Sequence, residues 1–471
     1  MILLELAVVL AAIVLGVRLG GVGIGFAGGL GVLGLAILGV SPGALPLDVI
    51  AIIVAVIVAI GAMQVAGGMD YLVGLADRVL RKHPKQLTFL APLITYLMTL
   101  MAGTGLTAFA TMPVITEVAK ENDIRPSRPL SVAVVASQIA ITASPISAAV
   151  VFLSAALEPK GVDYLDLLSV AIPSTFLACM ATAAIMMTID RLRGSTSLSS
   201  HPEYQRRLAA GTVTAATRRP DRTGPGHGPG AVRAPVPAGN VLVEAEVLAP
   251  AVPAPTIDRV GRRSVVVFAL GLVAVLGYAV TISEKVGLVE TPVMTRDQAI
   301  IAIMLSIATV IVATCKVRTR DIATASTFTS GMSASICVLG VAWLGTTFVT
   351  ENEQRITDAA GDLLTSQPWT LAVVLFFASA LLYSQAATTK ALIPTALAIG
   401  VSPLAAVAAF PAVSALFVLP TYPTLLAAVE MDDTGSTQIG KYVFNHPFLL
   451  PGLINITIAV ALGFLFGSLL L

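Results

Sequence analysis

The sequence predicts an all-α, polytopic membrane protein, and three observations predict it. Apolar segments of about 20 residues, the length needed to cross a bilayer core, recur from end to end of the 471-residue chain. Hydrophobic residues make up 56% of it and charged residues only 12%, with a mean hydropathy of +0.90. Two further apolar stretches are too short for two crossings each and have polar, small-residue centres. Together these read as inverted repeats with two re-entrant hairpins and two broken helices. The long unbroken apolar runs argue against a β-barrel. A net charge of +1, with the basic residues confined to loops, excludes a nucleic-acid surface.

Taken in order, the expected spans are 2–20, 21–40, 49–67, 129–157, 167–189, 264–283, 298–315, 326–349, 403–429 and 447–470, which makes ten crossings. The first has no Lys or Arg ahead of its apolar run and carries Glu5 instead, so it reads as a retained span rather than a signal peptide. The short stretches are 87–119 and 369–401. The loops "DRVLRKHPK" and "KENDIRPSRP" on either side of the first are both basic, which puts both on the cytoplasmic side. The 87–119 segment then enters and leaves from the cytoplasm as a hairpin. Following the crossings onward makes 369–401 a hairpin from outside and leaves both termini outside. Residues 190–263, rich in Pro, Gly, Ala and Thr with eleven arginines, read as a flexible cytoplasmic linker, with a regulatory tail as the second reading. The linker separates a first membrane repeat, 1–189, from a second, 264–471.

Aligning Pro113 with Pro394 sets "GTGLTAFATMP" against "SQAATTKALIP" and pairs Thr107 with Thr388. A second proline element follows in each half, "ASPIS" at 143–147 and "LPTYPT" at 419–424. Since a helix cannot simply stop in hydrocarbon, four breaks call for one shared protein-lined or watery site. The first tip offers Gly103, Thr104, Gly105 and Thr107, and the second offers Ser384, Gln385, Thr388, Thr389 and Lys390. The first interrupted span offers Ser144, Pro145 and Ser147, and the second offers Pro420, Thr421 and Thr424. Helix starts opened this way present free N–H groups and partial positive charge, a ready anion site. The plainer reading of the hydroxyls is helix packing with back-bonding to the preceding turn.

Lys390 sets the sign of the ligand. From Trp369 to Val429 it is the sole formal charge, and a lysine near the bilayer centre costs about 3 kcal/mol on insertion scales. A carboxylate arriving from solution would offset that charge; snorkelling or a neutral amine are the competing readings. Two opposed half-sites suit a small dianion, although phosphate or sulfate fit the same donors. Cys179, Cys315 and Cys337 lie in or beside apolar segments, and the four histidines are scattered, so no metal, cofactor or catalytic group is expected. Asp432 and Asp433 in "EMDDTG" read as a solvated helix end, with a gate or proton relay as the second reading.

These residues also resemble a known family, the anaerobic four-carbon dicarboxylate (Dcu) transporters, nearest its A-type branch. The likeness runs through "LGVRLGGVGIGFAGGLGVL", "AMQVAGGMDYLVGLADRVLRKHPK", "ASQIAITASPISAAVV", "ILGVAWLGTTFV", "LLYSQAATTKALIP" and "LPTYPTLLAAVEMDDTGSTQIGKYVFNHPF", covering nearly everything but 190–263. It departs at Leu106, where a polar residue would be expected, and in the long arginine-rich linker. The resemblance implies exchange of L-aspartate, fumarate, malate and succinate across a bacterial inner membrane by a homodimer. It also implies an ion-transporter-superfamily fold whose hairpin-bearing domain moves as an elevator. The alternatives are a sodium- or proton-coupled symporter, an intramembrane enzyme, for which the central segments hold no His, Asp or Glu, and a sensor with an unidentified partner.

Overall fold

A computed structural model gives the fold and describes residues 2–19, 22–45, 47–193, 197–213, 259–283, 288–289, 292–382, 384–419, 422–440 and 444–471. The regular structure of the described residues is all helical, apart from one isolated bridge between Ile124 and Ser197. Helices α1 (Ile2–Leu19), α2 (Gly23–Ile37), α3 (Leu47–Val65) and α4 (Gly68–Lys82) open the chain. The first hairpin is α5 (Leu87–Ala102) and α6 (Ala108–Glu121), and the first interrupted span is α7 (Ser127–Ala140) and α8 (Ala148–Leu157). After α9 (Tyr164–Arg193) comes the short α10 (Pro202–Ala209). The second half begins with α11 (Arg259–Thr281), α12 (Arg296–Cys315), α13 (Thr319–Ala323) and α14 (Ser326–Ser366). It continues with the hairpin pair α15 (Thr370–Leu382) and α16 (Gln385–Ala398). Then come α17 (Pro403–Ala409), the 3-10 stretch Phe410–Phe417 and α18 (Pro423–Met431), and α19 (Leu449–Leu470) closes the fold.

Ten spans were expected, and the described residues hold six helices long and apolar enough to cross a membrane, or up to seven if a bent pair counts as one. Length accounts for the difference. The bent pair is Ile50–Val65 with Gly68–Lys82, turned by 69° at Gly67, whose φ of 78° lies in the left-handed region open to glycine. Three other expected spans become shorter apolar helices, Leu4–Gly16, Gly25–Ile37 and Pro403–Phe417. The stretch "DRVLRKHPK", expected as a loop, is helical as far as Lys82. Its Arg81 pairs with Asp77 on its own helix and with Glu117 and Glu121 on α6, which pins the first hairpin's outer end to α4.

Local sequence explains several boundaries. Thr295 and Gln298 bond each other's backbone N–H groups in a capping box that starts α12. Pro403 and Pro423 stand at the first positions of α17 and α18, where a missing N–H removes nothing a helix would use. On α2, added Cβ atoms at Gly25 and Gly28 would lie 2.3 Å from Ile336 O and 2.4 Å from Gly340 C on α14, so the two backbones meet.

Two cores organise the whole. One joins buried residues of the first hairpin, α7, α8 and the start of α9 with those of α15 to α18 and α19. The other joins α3, α11, α12 and α13, and reaches Ala102, Ile146 and Val151 beside the first tip and first interruption.

Part of the 190–263 stretch is folded. Residues 197–213 run from the bridge at Ser197 into α10, with Leu198, Tyr204 and Val213 forming a small cluster of their own. Asp123, at φ 55°, accepts from the Ser199 N–H at 2.7 Å and from the Ser197 hydroxyl at 2.6 Å. Arg207 donates to the Asp433 carbonyl at 2.9 Å, so the segment spans both halves. Residues 214–258 of the expected linker lie outside the described residues.

Candidate functional site

The first tip is a left-handed turn at Gly103 (φ 67°) followed by a 3-10 turn from Gly105 to Thr107. A Cβ at Gly103 would sit 3.0 Å from Ile146 Cγ1, so the tip lies directly on the first interruption. The arms of this hairpin are joined by two buried hydroxyl rungs, Thr99 to Thr107 at 2.6 Å and Thr95 to Thr111 at 3.2 Å. Thr107 also reaches the Thr104 carbonyl at 3.3 Å.

The interruption itself turns extended at Ser144 (ψ 124°). Ser144 donates its hydroxyl to Leu100 O on α5 at 2.7 Å, Pro145 O accepts from the Tyr164 hydroxyl, and Ser147 caps α8 by accepting from Val150 N at 3.2 Å. All three breakpoint residues are buried.

The second tip starts α16 in the same way, with Ser384 extended and accepting from Ala387 N at 3.2 Å. Thr388 and Thr389 return their hydroxyls to the carbonyls of Ser384 and Gln385, at 2.7 and 2.8 Å. Gln385 reaches outward: its Nε2 donates to Gln138 O on α7 at 2.6 Å and to Ser414 Oγ at 3.0 Å. Ser414 lies in the 3-10 stretch before the second interruption, whose other side begins at α18 with buried Thr424. Pro420 and Thr421 lie outside the described residues.

One residue that the sequence did not single out gathers these parts. Gln138 is 1% exposed, and its Nε2 donates to Thr424 Oγ1 at 3.1 Å. The same Nε2 would lie 3.3 Å from a Cβ at Gly105. Its Oε1 is buried without a hydrogen-bond partner. Its side chain meets the first tip and the start of α18, and its backbone carbonyl accepts from Gln385 of the second tip and from Ser414 of the 3-10 stretch at 3.3 Å.

Lys390 is placed differently. It lies about 140° around α16 from Gln385, at about 100° per residue. Its ammonium sits over the Phe152 ring of α8, 5.5 Å from the centroid. There Ala148 at the start of α8 and Ala386 at the start of α16 both pack on Ala342 of α14. The structure thus brings Gly105, Gln385 and Thr424 together at Gln138, Gly103 beside the first interruption, and Lys390 over Phe152 on α8. The hydroxyls of Thr107, Ser144, Thr388 and Thr389 are directed into their own hairpin or neighbouring backbone.

Sequence reasoning missed Gln138, Ser414, Phe152 and Thr99. A signal existed for Gln138, an amide six residues before Ser144 whose other polar neighbours in "ASQIAITASPIS" are all small hydroxyl residues; Ser414, Phe152 and Thr99 carry none. Asp432 is 1% exposed and accepts from the N–H groups of Thr434 (3.1 Å) and Thr437 (2.6 Å), so it closes the loop after α18. Asp433 pairs with Lys120 at 2.5 Å. Among the described residues no three His, Cys, Asp or Glu side chains group as metal ligands.

The family model described as the anaerobic C4-dicarboxylate membrane transporter matches residues 1–471. The chain is 55% identical over 472 residues to the C4-dicarboxylate transporter DcuA of Wolinella succinogenes, covering 100% of both. It is 53% identical over 471 residues to DcuA of Escherichia coli strain K12, again covering 100% of both. Against the anaerobic C4-dicarboxylate transporter DcuB of Escherichia coli O6:H1 it is 31% identical over 475 residues, 99% of this chain and 98% of that one. Among solved structures, the Alcanivorax borkumensis YdaH transporter matches with a TM-score of 0.51 at 15% identity, covering 88% of this chain and 84% of that one. That last likeness is one of fold.

Proposed function

Because the chain belongs to the anaerobic C4-dicarboxylate membrane transporter family, we propose that it exchanges four-carbon dicarboxylates such as L-aspartate, fumarate, malate and succinate across a bacterial inner membrane. It is a multi-pass transporter and not an enzyme.

The observation that carries the reading is the convergence of both hairpin tips and the second interruption on Gln138. A diacid needs donors at two ends and some positive charge. Turned by 180° about its last torsion, the Gln138 amide would accept from the Thr424 hydroxyl and offer its NH2 where Oε1 now has no partner. The starts of α6, α8, α16 and α18 would supply N–H groups and partial positive charge to the shared site. One carboxylate would be held at the Gln138 junction. The other would be held towards Lys390, beside Phe152 on α8. Of the hydroxyls at the breaks, Ser147 and Ser384 accept from helix N–H groups, and each retains a proton to give.

Exchange follows from charge. Moving an unoccupied site across the membrane would carry the Lys390 ammonium through hydrocarbon at about 3 kcal/mol or more, and a bound diacid offsets that. The two cores support an elevator: the hairpin-bearing unit of α5–α9 and α15–α19 slides against a fixed unit of α3 and α11–α14. In this reading the halves are inverted repeats, the hairpins enter from opposite faces, both termini lie outside, and the fixed unit forms a homodimer.

The test is counterflow of labelled aspartate in proteoliposomes against a panel of unlabelled acids, with and without sodium and a pH gradient. Succinate, fumarate and malate should drive uptake without either gradient. Uptake driven only by sodium or protons would replace exchange with symport, and indifference to all four acids would remove the substrate assignment.

A further inference from the structure

On the face that carries the basic loops lies a cavity of about 570 Å³, bounded by the start of α5, the α6–α7 turn, the end of α9 and residues 436 and 447 of the second half. Lys85, Arg125, Arg128 and Arg191 line it, with Asp190 as the lone acid among the described lining residues. Four cations less one carboxylate leave the lining at +3. Asp190 is already engaged, accepting from Arg128 Nε at 3.0 and 3.3 Å. Arg125 Nε is buried without a hydrogen-bond partner, although a guanidinium carries five N–H donors that burial makes costly to leave unmet. Leu87 and Met187 add apolar wall.

This space is separate from the candidate substrate site. Ser127, the first residue of α7, lines it, and Gln138 lies eleven residues further along the same helix, about 16 Å away at 1.5 Å per residue. Its walls also come from both halves of the chain, joined where Ser127 N donates to Ser436 Oγ at 3.1 Å.

We propose that this cavity is a binding site for a phosphate-bearing anion, whose occupancy fixes the loop after α18 against the start of α7 and so raises the transport rate. Clustered guanidiniums suit phosphate oxygens, which they can grip in pairs. A basic pocket between helices at the membrane surface matches the way anionic headgroups are held, and the apolar wall would lie along an acyl chain. An anionic phospholipid and free phosphate share this chemistry, and the experiment separates them.

The full-length protein is reconstituted in phosphatidylcholine alone, in phosphatidylcholine with phosphatidylglycerol, and in phosphatidylcholine with inorganic phosphate added. Lipid or phosphate retention is read by native mass spectrometry, thermal unfolding is followed, and succinate counterflow is measured. Retention and unfolding do not depend on the transport assignment, so their failure is distinguishable from a failure of that assignment. Phosphatidylglycerol should be retained, raise the unfolding midpoint and speed counterflow about five-fold. The pair Arg125→Gln and Arg191→Gln should lose retention and at least half of both effects, while Arg125→Lys with Arg191→Lys keeps most of them. The same responses to phosphate alone would support the site with a soluble source. Failure of both probes to bind the wild type, or full retention by the glutamine pair, would overturn the proposal.

Discussion

The two hairpins are built to the same plan and finished differently. Each has a threonine near the start of its second arm, Thr107 just before α6 and Thr388 one turn into α16, and a proline six residues beyond it. In the first, polar groups face inward: Thr99 bonds Thr107 and Thr95 bonds Thr111, so the hairpin is closed on itself by neutral hydroxyl pairs. In the second, Thr388 and Thr389 satisfy their own helix, while Gln385 and Lys390 reach other elements. The difference teaches that sequence alignment of the tips, Thr107 with Thr388, does not align their work. The first hairpin supplies shape against Ile146 and Gln138, and the second supplies charge and cross-links.

The largest effect that could break this comparison is at Lys390. If the second hairpin alone supplies formal charge, Lys390→Ala should cut succinate affinity about 10- to 100-fold, the range expected for losing a charge-assisted hydrogen bond. Binding measured by calorimetry on the purified variant would check it; unchanged affinity would reduce Lys390 to packing over Phe152.

Next is Gln385→Leu. It removes the donor to Ser414 Oγ and the shorter of two hydrogen bonds to the Gln138 carbonyl, which the Ser414 hydroxyl still reaches at 3.3 Å, and should destabilise the protein by about 1–3 kcal/mol, read as a lowered unfolding midpoint. The matching change in the first hairpin, Thr107→Val, removes one rung of a neutral pair and should cost about 1 kcal/mol. Equal losses at the two tips would erase the asymmetry between them. A smaller, sharper contrast is Thr107→Val with Thr388→Val in transport. Both hydroxyls are internally bonded, so each variant should change the apparent substrate constant by no more than about three-fold, or below 1 kcal/mol.

The smallest expected effect lies at the first hairpin's outer end, where residues 197–213 dock. Burial first, then the charge of Arg125, holds the His201 imidazole below its ordinary 6.5, against the opposite pull of Asp432 and Glu203. Because the folded value is lowered, the native contribution is complete above 6.5 and weakens as pH falls below it. Burial pushes the Asp123 carboxyl up, but hydrogen bonds from Ser197, Ser199 and Leu198 outweigh it and leave it below the ordinary 3.8, so its contribution persists until stronger acid. Amide exchange across 197–213, corrected for intrinsic pH effects, should therefore be faster at about pH 5.5 than at about pH 7.5. Equal protection would mean that His201 does not hold the segment.

Much of this architecture was legible in the chain itself. Composition gave the helical membrane class, and glycines and prolines marked the breaks, because Gly103 and Pro423 act through backbone geometry that residue type alone dictates. The span count was less legible, since α2 and α17 are apolar like a crossing but shorter, and length is decided by what they pack against. The junction at Gln138 was hidden for a similar reason. An amide on α7, one on α16 and a hydroxyl on α18 meet only through tertiary folding, and no spacing rule relates positions 138, 385 and 424. The direction of Lys390 was likewise a matter of helix phase against neighbours not yet known.

A density map of the protein in nanodiscs with bound succinate would test the shared-site account most directly. The account predicts the ligand between the Gln138 junction and Phe152 on α8, with the Lys390 ammonium turned to one carboxylate and both tips in contact with it. Succinate bound elsewhere, or a ligand held without Lys390 and with either tip remote from it, would contradict it.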